Sequence, residues 1–369
     1  MPDRWYLFED AKHIASPALI VYLDRVRENL RRMIAVAGGV ERLRPHVKTH
    51  KMAEVVRLQM QAGISKFKCA TIAEAEMLAQ TGAPDVMLAY PVVGPNVGRL
   101  AGLAKAYPST RFSALADDLS AIHTLSASFA SAEKPLEVLL DIDNGMHRSG
   151  VAPGPAAIEQ YRLLDDLPGL TPGGLHVYDG HVREADLAAR ASHAEADFAP
   201  VKQLRQSLEN AGLPVPRVVA GGTPTFPVHA RQTDRECSPG TCVFWDVGYE
   251  SKFPDLEFLH AALLLGRVVS KPTPDRLCLD LGYKSVSPDN PQPRVTLLDL
   301  PDAQPVVHSE EHLTVESSRA GEFAVGDVMY GVPYHICPTV ALHREAVVIE
   351  QDRVAARWPV TARNRSITL

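Results

Sequence analysis

From residue 16 onward, short runs of aliphatic and β-branched residues alternate with longer stretches whose apolar positions recur three and four residues apart. The first run is Ala18-Leu19-Ile20-Val21-Tyr22. Asp24 then stands where a helix cap is wanted, ahead of Val26, Leu30, Met33, Ile34 and Ala37 on one helical face, and Gly38-Gly39 ends the helix. Further strand-like runs fall near 42–47, 66–70, 85–89, 111–115, 136–142, 173–177 and 217–221, separated by helical stretches such as Thr49–Ala62 and Asp186–Ala211. A parallel strand needs a crossover helix, and eight such units close on themselves, so the pattern predicts an α/β domain of the (β/α)8 TIM-barrel type over 16–250. An open doubly wound sheet is the alternative.

Past residue 250 the rhythm changes. Ala261–Ser270, Arg276–Asp280, Arg294–Leu298, His312–Val315 and Ala346–Ile349 are short, β-rich and divided by Pro, Gly and Asp. They predict an all-β, antiparallel domain over 251–369, with residues 1–15 packing on it.

Composition narrows the partners. With 46% hydrophobic and 22% charged residues the chain can fill a sizeable core, and a net charge of −6 without a basic tail argues against nucleic acid. The first ten residues carry charges where a secretory leader would be apolar, and His260–Val269 is too short to span a bilayer. Five scattered cysteines form no disulfide framework, which suits a reducing compartment and a cytoplasmic protein away from membranes.

Barrel chemistry sits at the C-terminal ends of strands. The run near 42–47 ends in Arg44-Pro45-His46-Val47-Lys48-Thr49-His50-Lys51, which places Lys48 at the barrel mouth, where a shielded amine can act as a nucleophile and form a Schiff base. Lys51 is the local rival, but it is expected in the first turn of the next helix, pointing outward. Gly221-Gly222-Thr223 follows the last barrel run, where barrels place phosphate sites, and Ser238-Pro239-Gly240-Thr241 comes shortly after. Small residues let backbone N–H groups approach an anion. Together with Lys48 these segments describe a phosphorylated aldehyde cofactor.

The Arg44–Lys51 run, Ser16-Pro17-Ala18 before it, Gly145-Met146-His147-Arg148-Ser149-Gly150, and His335-Ile336-Cys337-Pro338-Thr339-Val340 occur in the order and spacing of one family. The whole chain resembles the D-threonine aldolase and D-serine dehydratase family. The resemblance implies an alanine racemase-like fold, pyridoxal 5'-phosphate on Lys48, and a homodimer. It also implies that Arg148 contacts the cofactor ring or its 3-hydroxyl and that Tyr178 lies against the ring.

In a strand, residues two apart face one side, so His335 and Cys337 could share one ion. The resemblance makes this pair the site of a catalytic divalent metal. The thiolate favours zinc, with manganese or magnesium as alternatives. His50, His147, His176 and His181 all fall near strand ends, and His181 is the choice for the base acting on the substrate hydroxyl. The expected activity is aldol cleavage of a small D-β-hydroxy amino acid to glycine and an aldehyde. The alternatives are dehydration of D-serine or a related acid to a 2-oxo acid and ammonia, racemisation, and a non-catalytic carrier of pyridoxal phosphate.

Overall fold

The computed structural model describes residues 4–369. The chain divides into two compact units. One holds residues up to Arg32, Thr49–Glu54 and Thr241–Arg363, the other Met33–Lys48, Val55–Gly240 and Asn364–Leu369.

The second unit is the barrel. Seven parallel strands follow one another in chain order: Lys66–Cys69, Asp85–Pro91, Arg111–Ala116, Leu136–Ile142, Leu170–Val177, Val218–Ala220 and Glu236–Cys237. Residues 43–46 close the ring. Leu43 forms a parallel bridge with Cys237 and His46 with Lys68, and the backbone bonds run from Arg44 to Cys237 (2.9 Å), His46 to Pro239 (2.9 Å) and Lys68 to Pro45 (3.0 Å). Pro45 has no N–H to offer a ladder, so this eighth member is held by isolated bridges.

The membership differs from the sequence pattern at two places. Ala18–Tyr22, expected as the first barrel strand, lies in the other unit's sheet, antiparallel to Ala262–Thr273 and parallel to Glu345–Glu350. Its unbroken apolar run fits the interior of any sheet and carries no mark of which one. The barrel position left vacant belongs to Glu236–Cys237, too short to show a period. The division of the chain is therefore not a single cut near residue 250.

Met87, Leu115, Leu139 and Val219 form a buried cluster from four barrel strands, the layered filling expected of this architecture. At the opposite strand ends, Arg44, with no exposed surface, gives Nη1 and Nη2 to Asp85 (2.5 and 3.2 Å) and Nε to Glu236 (2.7 Å). Burial opposes the charge on Arg44, but the two carboxylates outweigh it. Burial likewise opposes the charge on Asp85, yet Arg44 and Arg111 hold that carboxyl below its ordinary range. The irregular closing segment is thus tied to the first residue of strand Asp85–Pro91 and of strand Glu236–Cys237.

The first unit holds a nine-stranded sheet built around Ala262–Thr273. Ala18–Tyr22, Glu345–Glu350 and Arg353–Pro359 extend it on one side, and Arg276–Leu279, Leu313–Glu316 and Gln304–His308 on the other. Val328–Pro333 also pairs with the central strand and carries Val295–Leu297. All pairings are antiparallel except that of Ala18–Tyr22 with Glu345–Glu350. Tyr6, Phe8 and Ile14 are buried with Ile20, Tyr22, Leu263, Tyr330 and Val347, so the described part of the N-terminal segment belongs to this core. Residues 1–3, part of the expected N-terminal packing, lie outside the described residues. Among the described residues no helix is long and apolar enough to cross a membrane.

Candidate active site

Lys48 is half-buried in a single 3-10 turn, Val47–Thr49, directly after the barrel-closing segment. Its own N–H donates to His46 Nδ1 at 3.2 Å, which fixes the turn. Lys51 precedes helix Ala53–Gln61 with φ +54°, outside the first turn expected for it.

Tyr178 follows strand Leu170–Val177, and the Arg148 guanidinium carbon lies 4.7 Å from its ring centroid. The barrel thus brings together the two residues that the resemblance assigned to the cofactor ring. The loop carrying Arg148 is held from within: Asp143 Oδ1 accepts from the backbone of Gly145 (3.0 Å) and His147 (2.9 Å), and Asp117 accepts from that of Gly150 (2.7 Å). Below it, buried Asp141 binds His176 Nδ1 (2.6 Å) and the Ser149 hydroxyl (2.9 Å). Burial, then the charge of Lys68, lowers the His176 imidazole.

Gly221 and Gly222 make a cradle. Gly221 sits at φ +69°, and a Cβ there would come within 2.4 Å of the His229 ring; one on Gly222 would meet the Tyr178 ring at 2.9 Å. Buried Asp179 holds this wall, accepting from Thr225 Oγ1 (2.7 Å) and pairing with His229 Nε2 (2.7 Å). The Thr223 hydroxyl accepts from the backbone of Gly240 (3.1 Å), which joins the two small-residue segments. Ser238 Oγ is buried with no partner among the described residues. A cradle closed to any Cβ, with a buried hydroxyl left over, fits a phosphate group. Thr241, placed with this cup from the sequence, belongs to the other unit, where its hydroxyl lies 3.5 Å from Cys337 Sγ.

His335 and Cys337 do not lie in a strand. His335 is the N-cap of helix Ile336–Leu342 and Cys337 is in its first turn, so a helix start and not strand alternation brings them together. His335 pairs through Nδ1 with Asp289 Oδ2 at 2.5 Å, and Thr49 Oγ1, next in the chain to Lys48, lies 3.1 Å from Cys337 Sγ. Burial works against a charged His335, but bonding to Cys337 and Asp289 outweighs it and raises the imidazole to about 9. Asp246 accepts from the backbone N–H of Ile336 at 3.0 Å, fixing the turn between the two. An imidazole and a thiol brought together, with a carboxylate behind the imidazole, could hold a transition metal with Asp289 as the outer-sphere partner.

The histidines separate. His50 is fully buried, its Nδ1 accepts from the backbone of Met52 (3.1 Å), and burial lowers it to about 3, so it stays neutral. His147 is exposed and paired with Asp143 (2.9 Å). His181 Nε2 pairs with Asp197 Oδ2 at 2.7 Å, and its Nδ1 has no partner among the described residues. His193 binds the same Asp197 oxygen (3.2 Å) and Glu184 (2.5 Å). Asp197, Asp289 and Lys68 were not singled out from the sequence; only Lys68 left a signal, as a lysine late in a barrel strand.

Residues 21–246 match the alanine racemase N-terminal domain family, and residues 261–349 match a serine dehydratase domain. The chain belongs to this family. It is 32% identical over 369 residues to a 3-hydroxy-D-aspartate aldolase of Paracoccus denitrificans, covering 96% of this chain and 94% of that protein. It is also 32% identical to a D-threo-3-hydroxyaspartate dehydratase of Delftia sp., but over 238 residues, 63% of this chain and 62% of that one. The crystal structure of D-threonine aldolase from Filomicrobium marinum superposes with a TM-score of 0.89 at 29% identity, covering 95% of this chain and 96% of that chain.

Proposed function

We propose that this protein is a lyase, dependent on pyridoxal phosphate and a divalent metal, that cleaves D-β-hydroxy-α-amino acids to glycine and an aldehyde. One observation carries the choice of cleavage: in sequence the likeness to aldolases runs end to end at 28–32% identity, whereas the alignment with the Delftia dehydratase covers 63% of this chain and 62% of that one, although the two folds superpose over 95% of this chain. In this reading Lys48 carries the cofactor covalently. Gly221, Gly222, Thr223, Ser238 and Gly240 receive its phosphate, and Arg148 and Tyr178 orient its ring.

When bound, the cofactor supplies a sink for the electron pair released at the substrate Cα. His335 and Cys337 would hold the metal, which supplies Lewis acidity for the substrate hydroxyl; the thiolate suits zinc, with manganese or magnesium as the harder alternatives. His181 takes the hydroxyl proton at Nδ1, with Asp197 orienting the ring through Nε2, the arrangement of a general base with its positioning carboxylate. The Cα–Cβ bond then breaks.

The dehydratase reading draws on the serine dehydratase domain match over 261–349. Incubation of the metal-loaded holoenzyme with D-threonine separates the two: cleavage gives glycine and acetaldehyde, elimination gives 2-oxobutanoate and ammonia. Predominance of the second pair, or a higher kcat/KM for pyruvate formation from D-serine, replaces the aldolase reading. A cytoplasmic homodimer is part of the same proposal. The reducing compartment is supported by five cysteines of which none is in a disulfide, and the dimer is checked by mass measurement in solution.

A further inference from the structure

Lys68 stands late in strand Lys66–Cys69 and is only 3% exposed. Its ammonium lies 5.8 Å from the Tyr178 ring centroid, within the influence of Lys48, Arg148, Asp141 and Asp179. Neither carboxylate pairs with it. Asp141 commits one oxygen to His176 and the other to Ser149, and Asp179 commits its two to Thr225 and His229. Among the described residues Lys68 Nζ has no hydrogen bond and no ion pair, only the contact with the Tyr178 ring.

An ammonium taken out of water without an acceptor is costly, and the cost is removed only by loss of the proton or by an anion brought to it. Three cations, Lys48, Lys68 and Arg148, thus share the neighbourhood of two acids that are already engaged. Burial first, and then Lys48, lowers the Lys68 amine to about 7, which fits a group waiting for a counter-ion. The phosphate has its own cradle at Gly221–Thr223 and Ser238. The anion still wanting a partner beside Tyr178 is the ring oxygen.

We propose that Lys68 is a cofactor-binding residue whose ammonium, with Arg148, receives the ionised ring oxygen of pyridoxal phosphate. The inference rests on the reading that Lys48 carries that cofactor. It assigns to this lysine a task that packing alone would not require, since an apolar side chain would fill the same space without the desolvation cost.

The test compares wild type with Lys68→Met. In the variant, the ring oxygen loses a cation and takes a proton, so absorbance of the bound cofactor moves from the visible band to the near ultraviolet. The apparent dissociation constant for pyridoxal phosphate rises about tenfold or more, the loss expected for one charge-assisted bond. The cofactor-free variant unfolds at the same temperature as wild type or higher, because an unpartnered charge has been removed. An unchanged spectrum with affinity within about twofold overturns the proposal. So does a cofactor-free variant that is destabilised or unfolded, which makes Lys68 structural. A rise in KM with spectrum and affinity intact also overturns it, assigning the ammonium to the substrate carboxylate. Borohydride reduction of wild type, followed by peptide mapping, tests the underlying reading separately: a tag on a lysine other than Lys48 removes that reading, and a tag on Lys68 removes both.

Discussion

His335 pairs with Asp289 through Nδ1 at 2.5 Å, which sets Nε2 as the nitrogen available to an ion. A carboxylate in that position fixes the ring and strengthens the opposite nitrogen as a ligand. Asp289→Ala is therefore expected to weaken metal affinity by about 10–100-fold. Activity titrated in metal buffers would show the shift, while the visible band of the cofactor stays intact. Chelation of the wild type should act the same way in the extreme, abolishing turnover and sparing the band. Full turnover in metal-free protein would take the pair out of the mechanism.

Lys48 is expected to be the lysine that borohydride fixes to the cofactor, and Lys48→Ala to lose the visible band. Lys51 stands three residues on, at φ +54° before helix Ala53–Gln61, and a tag there would overturn the assignment to Lys48.

Much of the barrel was legible because each βα unit shows both periods in sequence. The exceptions have physical causes. Ala18–Tyr22 is buried along almost its whole length, and a run without alternation does not say which sheet takes it. Gln304–His308 holds only exposed and half-buried residues and Arg353–Pro359 alternates between the two, which left too little apolar signal to read them as strands. Of the proposed site residues, Lys48 and the glycine cradle could be nominated from their place after strand-like runs, while Arg148 and Tyr178 were nominated by the family resemblance. Asp289 and Asp197 were not, since each acts on a histidine 46 or 16 residues away and no local pattern links such pairs. The His335/Cys337 spacing was read as strand alternation, and the structure replaces it with a capped helix start.

The glycine cradle makes a sharp steric prediction. Gly221→Ala puts a methyl group 2.4 Å from the His229 ring at a φ that side chains rarely adopt, so both strain and collision oppose it. The expected cost is about 1–3 kcal/mol of stability, read from urea unfolding, together with weaker cofactor retention on dialysis. Wild-type stability with wild-type retention would show that the wall yields.

His50 gives a pH signature. Its folded-state value of about 3 lies below the unfolded 6.5, so on acidification the unfolded chain takes a proton that the folded one refuses. Stability is then present above pH 6.5 and lost as pH falls toward 3. One such group contributes a slope of at most about 1.4 kcal/mol per pH unit, or about 2 kcal/mol between pH 6.5 and 5. His176, His260, His308 and His343 are lowered by burial too and steepen the total. Urea unfolding at the two pH values should show a shallower loss for His50→Gln than for wild type; equal slopes would mean that His50 is not held neutral.

The last prediction concerns the base. Asp197 fixes the His181 ring through Nε2, leaving Nδ1 as the atom to accept a proton. If that ring takes the hydroxyl proton, His181→Gln removes the acceptor but leaves Lys48, Arg148, Tyr178 and the phosphate cradle in place. Glycine release should slow by about 10²–10⁴-fold, the usual contribution of a positioned base. Cofactor binding and its spectrum should not change. Asp197→Asn keeps the ring but loses the carboxylate that orients it, so its kcat should fall less, with KM nearly constant. A pH–rate profile separates positioning from packing, because the limb that reports the base should move in Asp197→Asn and vanish in His181→Gln. Loss of cofactor in either variant, or an unaltered profile in both, would show that this histidine serves the fold of the loop and that the proton leaves by another group.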